Sequence, residues 1–214
     1  MGSFNKKVLQ DSSSRLLDRF SLPTQSLVQD AKRNAWTQFV MHETRVHIKA
    51  DLTLKQSRVV QSPPIWGQED YERRVFITED IAYANIEQFA TRLNYRIYKN
   101  AFRRFNKRLT LIAALEGGRV ELRDTIKDKG VDKRFHTHLL IEMPEFKFLR
   151  QGKNKIPFNE DLFMQIIEEE WIATEWGYNE NNIERIRSTK GCGDYLTKYG
   201  LDSIDLNSTF INHN

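Results

Sequence analysis

Residues 134–142 read Arg-Phe-His-Thr-His-Leu-Leu-Ile-Glu, an apolar run that is interrupted by two histidines. The run predicts a strand over residues 134–143. Because side chains alternate along a strand, His136, His138 and Leu140 share one face. Two imidazoles on one face of a rigid strand are suitable donors for a divalent metal. An isolated His-x-His is a weak motif, however, and both histidines could be surface residues without a ligand.

A second predicted strand, residues 109–116, ends on Glu116 just before Gly117-Gly118. If the two strands are neighbours, the Glu116 carboxylate can reach both imidazoles. Two nitrogens and one carboxylate with open coordination positions suit Mg²⁺ or Mn²⁺ held between the protein and a substrate phosphate. Glu142 lies on the same face as His136 and His138 and is the alternative carboxylate.

Residues 193–200 read Gly-Asp-Tyr-Leu-Thr-Lys-Tyr-Gly and predict a short helix. Tyr195 and Tyr199 stack on one face of that helix, with Lys198 within one turn of Tyr195. Both tyrosines could simply pack the helix on the sheet. An ammonium beside a phenol favours the phenolate and can also hold a phosphate, so the pattern indicates phosphodiester chemistry with a tyrosine nucleophile. Arg187 and Lys190 precede this helix and are candidate DNA contacts.

The remaining pattern predicts a polar N-terminal extension over residues 1–25 and one domain over residues 26–214. The expected elements are a helix over 26–43, a strand over 45–55, an excursion over 56–77, helices over 79–105 and 160–176, and a strand over 183–187. Asn159 and Gly177 are the expected ends of the second long helix. This order is typical of an α+β, ferredoxin-like split β-α-β fold. The central antiparallel sheet would have helices on one face and the active site on the other.

A basic face runs along the predicted helix 79–105. Its members recur at helical spacing: Arg92, Arg96, Lys99 and Arg103. Clustered positive charge is the footprint of a nucleic-acid surface, although most such runs are merely solvated. The acidic run Glu168–Glu170 on helix 160–176 is interpreted as a solvated face.

Composition limits the classes of protein to consider. The 214 residues are 39% hydrophobic and carry a net charge of +4, which fits a globular and mildly basic protein. The single cysteine, Cys192, allows no intrachain disulfide and fits a reducing compartment. The sequence shows no secretory-type start, no membrane-spanning run and no Walker ATPase motif. We therefore expect a cytoplasmic protein with no membrane partner, while its oligomeric state stays open.

Taken together, the motifs resemble those of the HUH endonuclease superfamily, and within it the rolling-circle replication initiators. Three segments match in the family's order: residues 50–54, 135–140 and 195–198. Glu116 matches the acid that completes the metal site in many initiators. The resemblance implies Mg²⁺- or Mn²⁺-dependent nicking and joining of single-stranded or hairpin origin DNA through a covalent 5′-phosphotyrosine. It also implies a host helicase and polymerase as partners, and the host cytoplasm if the source is viral.

Other functions stay open at this point. A non-catalytic nucleic-acid-binding module could use the same fold and would expose aromatic residues on its middle strands. A transposase or relaxase relative would share the chemistry, and a metal-dependent nuclease could use water in place of a tyrosine. The spacing of Tyr195 and Tyr199 is compatible with a one-tyrosine or a two-tyrosine mechanism.

Overall fold

The structure is a computed structural model that describes residues 31, 34, 35, 38, 45–62, 71–117, 134–151, 153–187 and 204–210. The predicted helix 26–43 is helical at its four described positions. The predicted extension 1–25 and the predicted helix 193–200 lie outside the described residues. Among the residues described, no helix is both long and apolar enough to cross a bilayer.

The fold is of the α+β class, and its centre is an antiparallel sheet of five strands. The sheet strands are β1 (Val46–Thr53), β4 (Leu111–Glu116), β5 (His136–Glu142), β8 (Asn182–Arg185) and β9 (Ile204–Phe210). Their spatial order is β8-β1-β5-β4-β9, so the histidine strand β5 lies at the centre. The four strands predicted from the sequence are confirmed to within a few residues at each end.

Apart from those four helical positions, the described residues form three helices: α1 (Glu79–Tyr98), α2 (Asn100–Phe105) and α3 (Glu160–Ile172). The side chain of Thr78 caps α1, and that of Asn159 caps α3 as predicted, each accepting from a backbone N–H of the first turn. Both helices pack on the same face of the sheet. Phe89 of α1 and Trp171 of α3 meet edge to face at 5.4 Å over this core.

The face of the sheet opposite the helices is less open than the sequence predicted. Ile112, Ala114 and Leu140 point to this second face, and all three are buried. Strands β4 and β5 are apolar at almost every position, which is the pattern of strands covered on both faces. The second face is partly exposed at Thr53, Glu116 and His136 at one end of the described strands, and polar side chains of β1 such as Lys49 and Asp51 are also partly accessible.

Two segments outside the predicted helices and strands form hairpins. The excursion 56–77 contains β2 (Ser57–Ser62) paired with β3 (Tyr71–Phe76), and the loop before Pro157 contains β6 (Phe148–Gln151) paired with β7 (Asn154–Pro157). These short strands carry too little alternation to be distinguished from loop.

The predicted helix 79–105 is interrupted, and the predicted helix 160–176 is shorter than expected. Lys99 has a φ of +48°, which ends α1 before α2 begins. Helix α3 ends at Ile172, so Gly177 does not terminate the helix. Gly177 instead forms a β-bridge with Leu54, and a Cβ at this position would collide with the carbonyl oxygen of Trp171. Strand β9 was not predicted.

Candidate metal and nucleic-acid site

The register of the central strands brings the predicted metal ligands together. His136 is directly opposite Glu116 of β4 and Thr53 of β1, while His138 is opposite Asp51 of β1. Opposed residues of antiparallel strands share a face, with their Cβ atoms about 5 Å apart. Two histidines and two carboxylates therefore lie on the second face at one end of the sheet. We call these four residues, Asp51, Glu116, His136 and His138, the histidine end.

His138 is held by a carboxylate on each side of its ring. Its Nδ1 lies 2.7 Å from Oδ1 of Asp51, and its Nε2 lies 2.8 Å from Oε2 of Glu116. Only 9% of its side chain is exposed. Since an ionised carboxylate only accepts hydrogen bonds, the two contacts are satisfied together when the imidazole is protonated on both nitrogens.

The pKa values follow from this arrangement. Burial by itself lowers the pKa of His138, but the hydrogen bonds and negative charges of Asp51 and Glu116 outweigh burial, so the pKa of His138 lies above its ordinary value. Burial likewise raises the pKa of Asp51. The hydrogen bonds and charges of His138 and Lys49 outweigh that effect and hold the pKa of Asp51 below its ordinary value. Both shifts favour the charged imidazolium–carboxylate pair.

Asp51 is the site residue that the sequence interpretation missed. It belongs to the segment 50–54 that carried part of the family resemblance, but no role was assigned to it. Lys49 Nζ lies 2.9 Å from Oδ2 of Asp51 and 3.5 Å from Oε1 of Glu184. A row of alternating charge therefore crosses β8, β1, β5 and β4. The available signal was the alternation of β1, which puts Asp51 on the face opposite Ala50 and Leu52.

His136 has a different environment from His138. It is half-buried, and its side chain makes no hydrogen bond with the described residues. It lines a cavity of about 440 Å³ that also borders the end of β1, Arg134 and Tyr178. His136 is thus the histidine that opens towards space where a ligand could enter.

The donor set fits a divalent cation when His138 is neutral. His136, His138 and Glu116 supply two nitrogens and a carboxylate, the set expected from the sequence. Asp51 on Nδ1 would fix the His138 tautomer that leaves Nε2 free to coordinate, as second-shell carboxylates commonly do. Within the described ranges, no group of three His, Cys, Asp or Glu side chains forms a preassembled metal cluster. To coordinate an ion, His138 would have to lose its Nε2 proton. The Glu116 carboxylate, which accepts that proton's hydrogen bond, would then bind the ion instead.

Glu142, the alternative carboxylate, does not belong to the histidine end. Its Oε2 accepts a hydrogen bond from the backbone N–H of Thr110 at 3.1 Å. It pairs with Val46 at the far end of β5. Four residues along a strand place it about 13 Å from His138. Glu142 is therefore too far from the two histidines to share an ion with them.

The arginines of the predicted basic face are paired with α3. Arg92 lies 3.0 Å from Glu170, and Arg96 lies 3.6 Å from Glu169 and 3.9 Å from Glu170. The acidic run of α3, interpreted from the sequence as a solvated face, in fact contributes these partners. Part of the positive charge predicted for DNA is therefore balanced within the protein.

The rest of the basic face is also occupied by local contacts. Lys99 Nζ donates to the carbonyl of Arg150, and the guanidinium of Arg103 lies 4.7 Å from the centre of the Tyr95 ring. Helix α1 packs on the face of the sheet opposite the histidine end. Any DNA on the basic face would therefore be separated from His136 by the thickness of the sheet.

The predicted nucleophile lies outside the described residues, together with its neighbours Lys190, Lys198 and Tyr199. Tyr195 therefore stays a prediction. Arg187 is exposed just after β8. It lies at the end of the sheet away from His136, because the N–H of the preceding Ile186 donates to the carbonyl of His47.

Comparison of the chain with protein-family models, curated proteins and solved structures finds no match.

Proposed function

We propose that the protein is a metal-dependent endonuclease that nicks and joins single-stranded DNA, of the type that initiates rolling-circle replication of a plasmid or virus. The observation that carries the proposal is the histidine end. Two histidines on the central strand meet carboxylates from both neighbouring strands, and one of the histidines opens into a cavity. Histidines and carboxylates that converge from separate strands are a candidate metal-assisted catalytic site.

The arrangement of elements supports a ferredoxin-like split β-α-β fold as part of this proposal. Helix α1 lies between β1 and β4 along the chain, and α3 lies between β5 and β8. The spatial order β8-β1-β5-β4 is the order that two interleaved β-α-β units produce. Strand β9 would be an addition at the β4 edge.

Each residue of the histidine end has a role in the proposal. His136, His138 and Glu116 would hold Mg²⁺ or Mn²⁺, which would polarise the scissile phosphate and stabilise negative charge on its oxygens. Asp51 would position His138 by accepting the Nδ1 proton. His138 and Lys49 together hold the pKa of the Asp51 carboxyl low for that purpose, and the Lys49 ammonium lies 2.9 Å from its Oδ2.

Tyr195 is the proposed nucleophile, assisted by Lys198. Its oxygen would attack phosphorus as the bond to the 3′ oxygen breaks, giving a 5′-phosphotyrosine and a free 3′-OH. The reverse attack would rejoin the strand without ATP, because the covalent link preserves the energy of the bond.

The test is a denaturing gel of the protein incubated with end-labelled single-stranded DNA and Mn²⁺. We expect a labelled protein band with wild-type protein and with Tyr199→Phe, and no band with Tyr195→Phe although that variant still binds DNA. Peptide mapping of the adduct identifies the tyrosine. Cleaved DNA without an adduct would instead indicate a nuclease that uses water. Binding without cleavage would indicate a non-catalytic module.

A further inference from the structure

We propose that the cavity beside His136 is the subsite that holds the single-stranded segment next to the cleaved bond. Arg134 and Lys55 would contact its phosphates, and Tyr178 would stack on one base. This inference rests on the proposed function and names the residues that would receive its substrate. We call this cavity the strand groove. In the described part of the chain, its lining residues are Thr53, Leu54, Lys55, Gln56, Ser57, Arg134, His136, Tyr178 and Glu180.

The strand groove is built by backbone contacts that fix its walls. The N–H of Tyr178 donates to the carbonyl of Thr53 at 3.0 Å, and the N–H of Lys55 donates to the carbonyl of Trp176 at 2.8 Å. On the other side, Gln56 Oε1 accepts from the N–H of Phe135 at 3.0 Å. These bonds join the chain after α3 to the end of β1, and the end of β1 to the start of β5. The groove is therefore a feature of the central sheet itself.

Arg134 and Lys55 bring positive charge to the lining of the groove, next to His136. Arg134 is exposed two residues before His136, and it forms no ion pair with a described residue. Lys55 Nζ donates to the carbonyl of Glu175 at 3.3 Å, which holds the ammonium at the wall, and no carboxylate of the described residues forms an ion pair with it. An unbalanced cation beside a candidate metal ligand is suited to a phosphodiester. Arg92 and Arg96 of the basic face, by contrast, are paired with carboxylates of α3.

An aromatic ring completes the surface needed for a single strand. Tyr178 is 41% exposed although its backbone is fixed by the bond to Thr53. A rigid, exposed ring beside cations is the usual combination for binding single-stranded nucleic acid, because every base can stack on it. The volume of about 440 Å³ lies within the range of small-ligand sites, about 300–1,000 Å³, which suits one nucleotide.

The Glu180 carboxylate should orient a bound strand in the groove by repelling its phosphates. It is the carboxylate among the lining residues, and its backbone carbonyl accepts from Oγ1 of Thr53 at 2.8 Å. Phosphates should lie on the Arg134 and Lys55 side, away from the Glu180 carboxylate. Removing its charge should therefore strengthen binding, which is the opposite effect to removing a cation.

The test measures binding of fluorescent oligothymidylate by anisotropy in EDTA, so that cleavage cannot interfere. We expect Tyr178→Ala to weaken binding at least about fivefold, while Tyr178→Phe keeps most of the affinity because the ring remains. Arg134→Ala should weaken binding and reduce the slope of log K against log salt by about 0.7, the loss of one phosphate contact to a single strand. Glu180→Gln should strengthen binding.

The matched controls are Tyr95→Ala and Arg104→Ala. Tyr95 is 45% exposed, close to the value for Tyr178, but it lies on α1 on the other side of the sheet. Arg104 is an exposed arginine of α2, beyond the far end of α1. Both controls should bind like wild type. Equal losses at Tyr95 and Tyr178, or an unchanged salt slope in Arg134→Ala, would overturn the groove assignment.

The two proposals fail in distinguishable ways. If the groove assignment is wrong and the function is right, the covalent adduct forms at Tyr195 while the groove variants bind DNA like wild type. If the function is wrong and the groove assignment is right, the groove variants weaken binding as expected, but no variant and no metal yields an adduct. The anisotropy and gel measurements together separate these outcomes.

Discussion

At the histidine end, charged side chains from several strands meet on one face, whereas the basic face of α1 draws its charges from one continuous stretch of chain. Asp51, Glu116 and His138 are brought together by strand pairing alone. On the basic face, Arg92 and Arg96 follow each other at helical spacing and pair with α3. The charges visible as a pattern in the sequence thus serve helix packing, and the charges that the fold assembles form the candidate site.

The difference also concerns what each region leaves available. Arg92 and Arg96 are compensated by carboxylates of α3, so they contribute little net charge to a ligand. The side chain of His136 makes no hydrogen bond with the described residues, and it borders a cavity. A local charge pattern is therefore a poor guide to binding until the partners of each side chain are known.

The largest expected effect is that of His138→Ala. Removing a metal ligand should lower DNA cleavage at least about a hundredfold, because the ion that stabilises the phosphate charge is lost. Arg92→Ala, the matched change on α1, should cleave at close to the wild-type rate. Gel assays in Mn²⁺ measure both rates, with circular dichroism to check folding. If His138→Ala and Arg92→Ala lost cleavage to a comparable extent, the histidine end could not be distinguished from the basic face as the site of cleavage.

Asp51→Asn should have the next largest effect. The amide can no longer accept the Nδ1 proton as a carboxylate does, so the tautomer of His138 is less well fixed. We expect a loss of about 10- to 100-fold in Mn²⁺ affinity or activity. Calorimetric titration with Mn²⁺ measures the affinity directly. An unchanged Mn²⁺ affinity would mean that Asp51 pairs with Lys49 but does not position His138 for metal binding.

The pH dependence of unfolding without metal should identify the same pair. Since the folded-state pKa of His138 is raised, its contribution to stability is fully present below the unfolded-state pKa and is lost as pH rises through the folded value. The folded-state pKa of Asp51 is lowered, so its contribution is present above the unfolded-state value and is lost as pH falls through the folded one. Urea unfolding across this range should show greatest stability between the two transitions. In His138→Gln, the loss of stability at alkaline pH should be reduced. If the same loss persists in this variant, it belongs to another titrating group.

The smallest effect is expected for Arg96→Ala. Its partners are partly exposed, and exposed ion pairs contribute between zero and about 1 kcal/mol. The free energy of unfolding should therefore fall by no more than about 1 kcal/mol, with Mn²⁺ affinity retained. A large loss of DNA affinity in this variant would show that the basic face binds the strand after all.

Sequence patterns located the central elements of the fold because those elements carry strong local signals. The run around His136 and His138 reads as a strand, and Glu116 marks the end of its neighbour. Asp51 could not be assigned in the same way, because its role depends on pairing β1 with a strand more than eighty residues away. Periodicity along one segment contains no information about that pairing.

The misplaced elements share a different cause. The break at Lys99 is a single residue with positive φ inside a continuous apolar stripe, so helical periodicity runs through it. The hairpins β2–β3 and β6–β7 lie outside the central sheet and have little buried surface to impose alternation. Strand β9 depends on pairing with β4, which no feature of residues 204–210 predicts on its own.

Titration of the metal-free protein with Mn²⁺ tests the histidine end most directly. The account predicts saturable binding by wild-type protein that releases a proton, because Nε2 of His138 must give up its hydrogen to coordinate. His138→Ala and Glu116→Gln should each lose this binding, while Arg92→Ala should retain it. Saturable binding of the same affinity in His138→Ala, or its absence in correctly folded wild-type protein, would contradict the assignment of this end of the sheet as a metal centre.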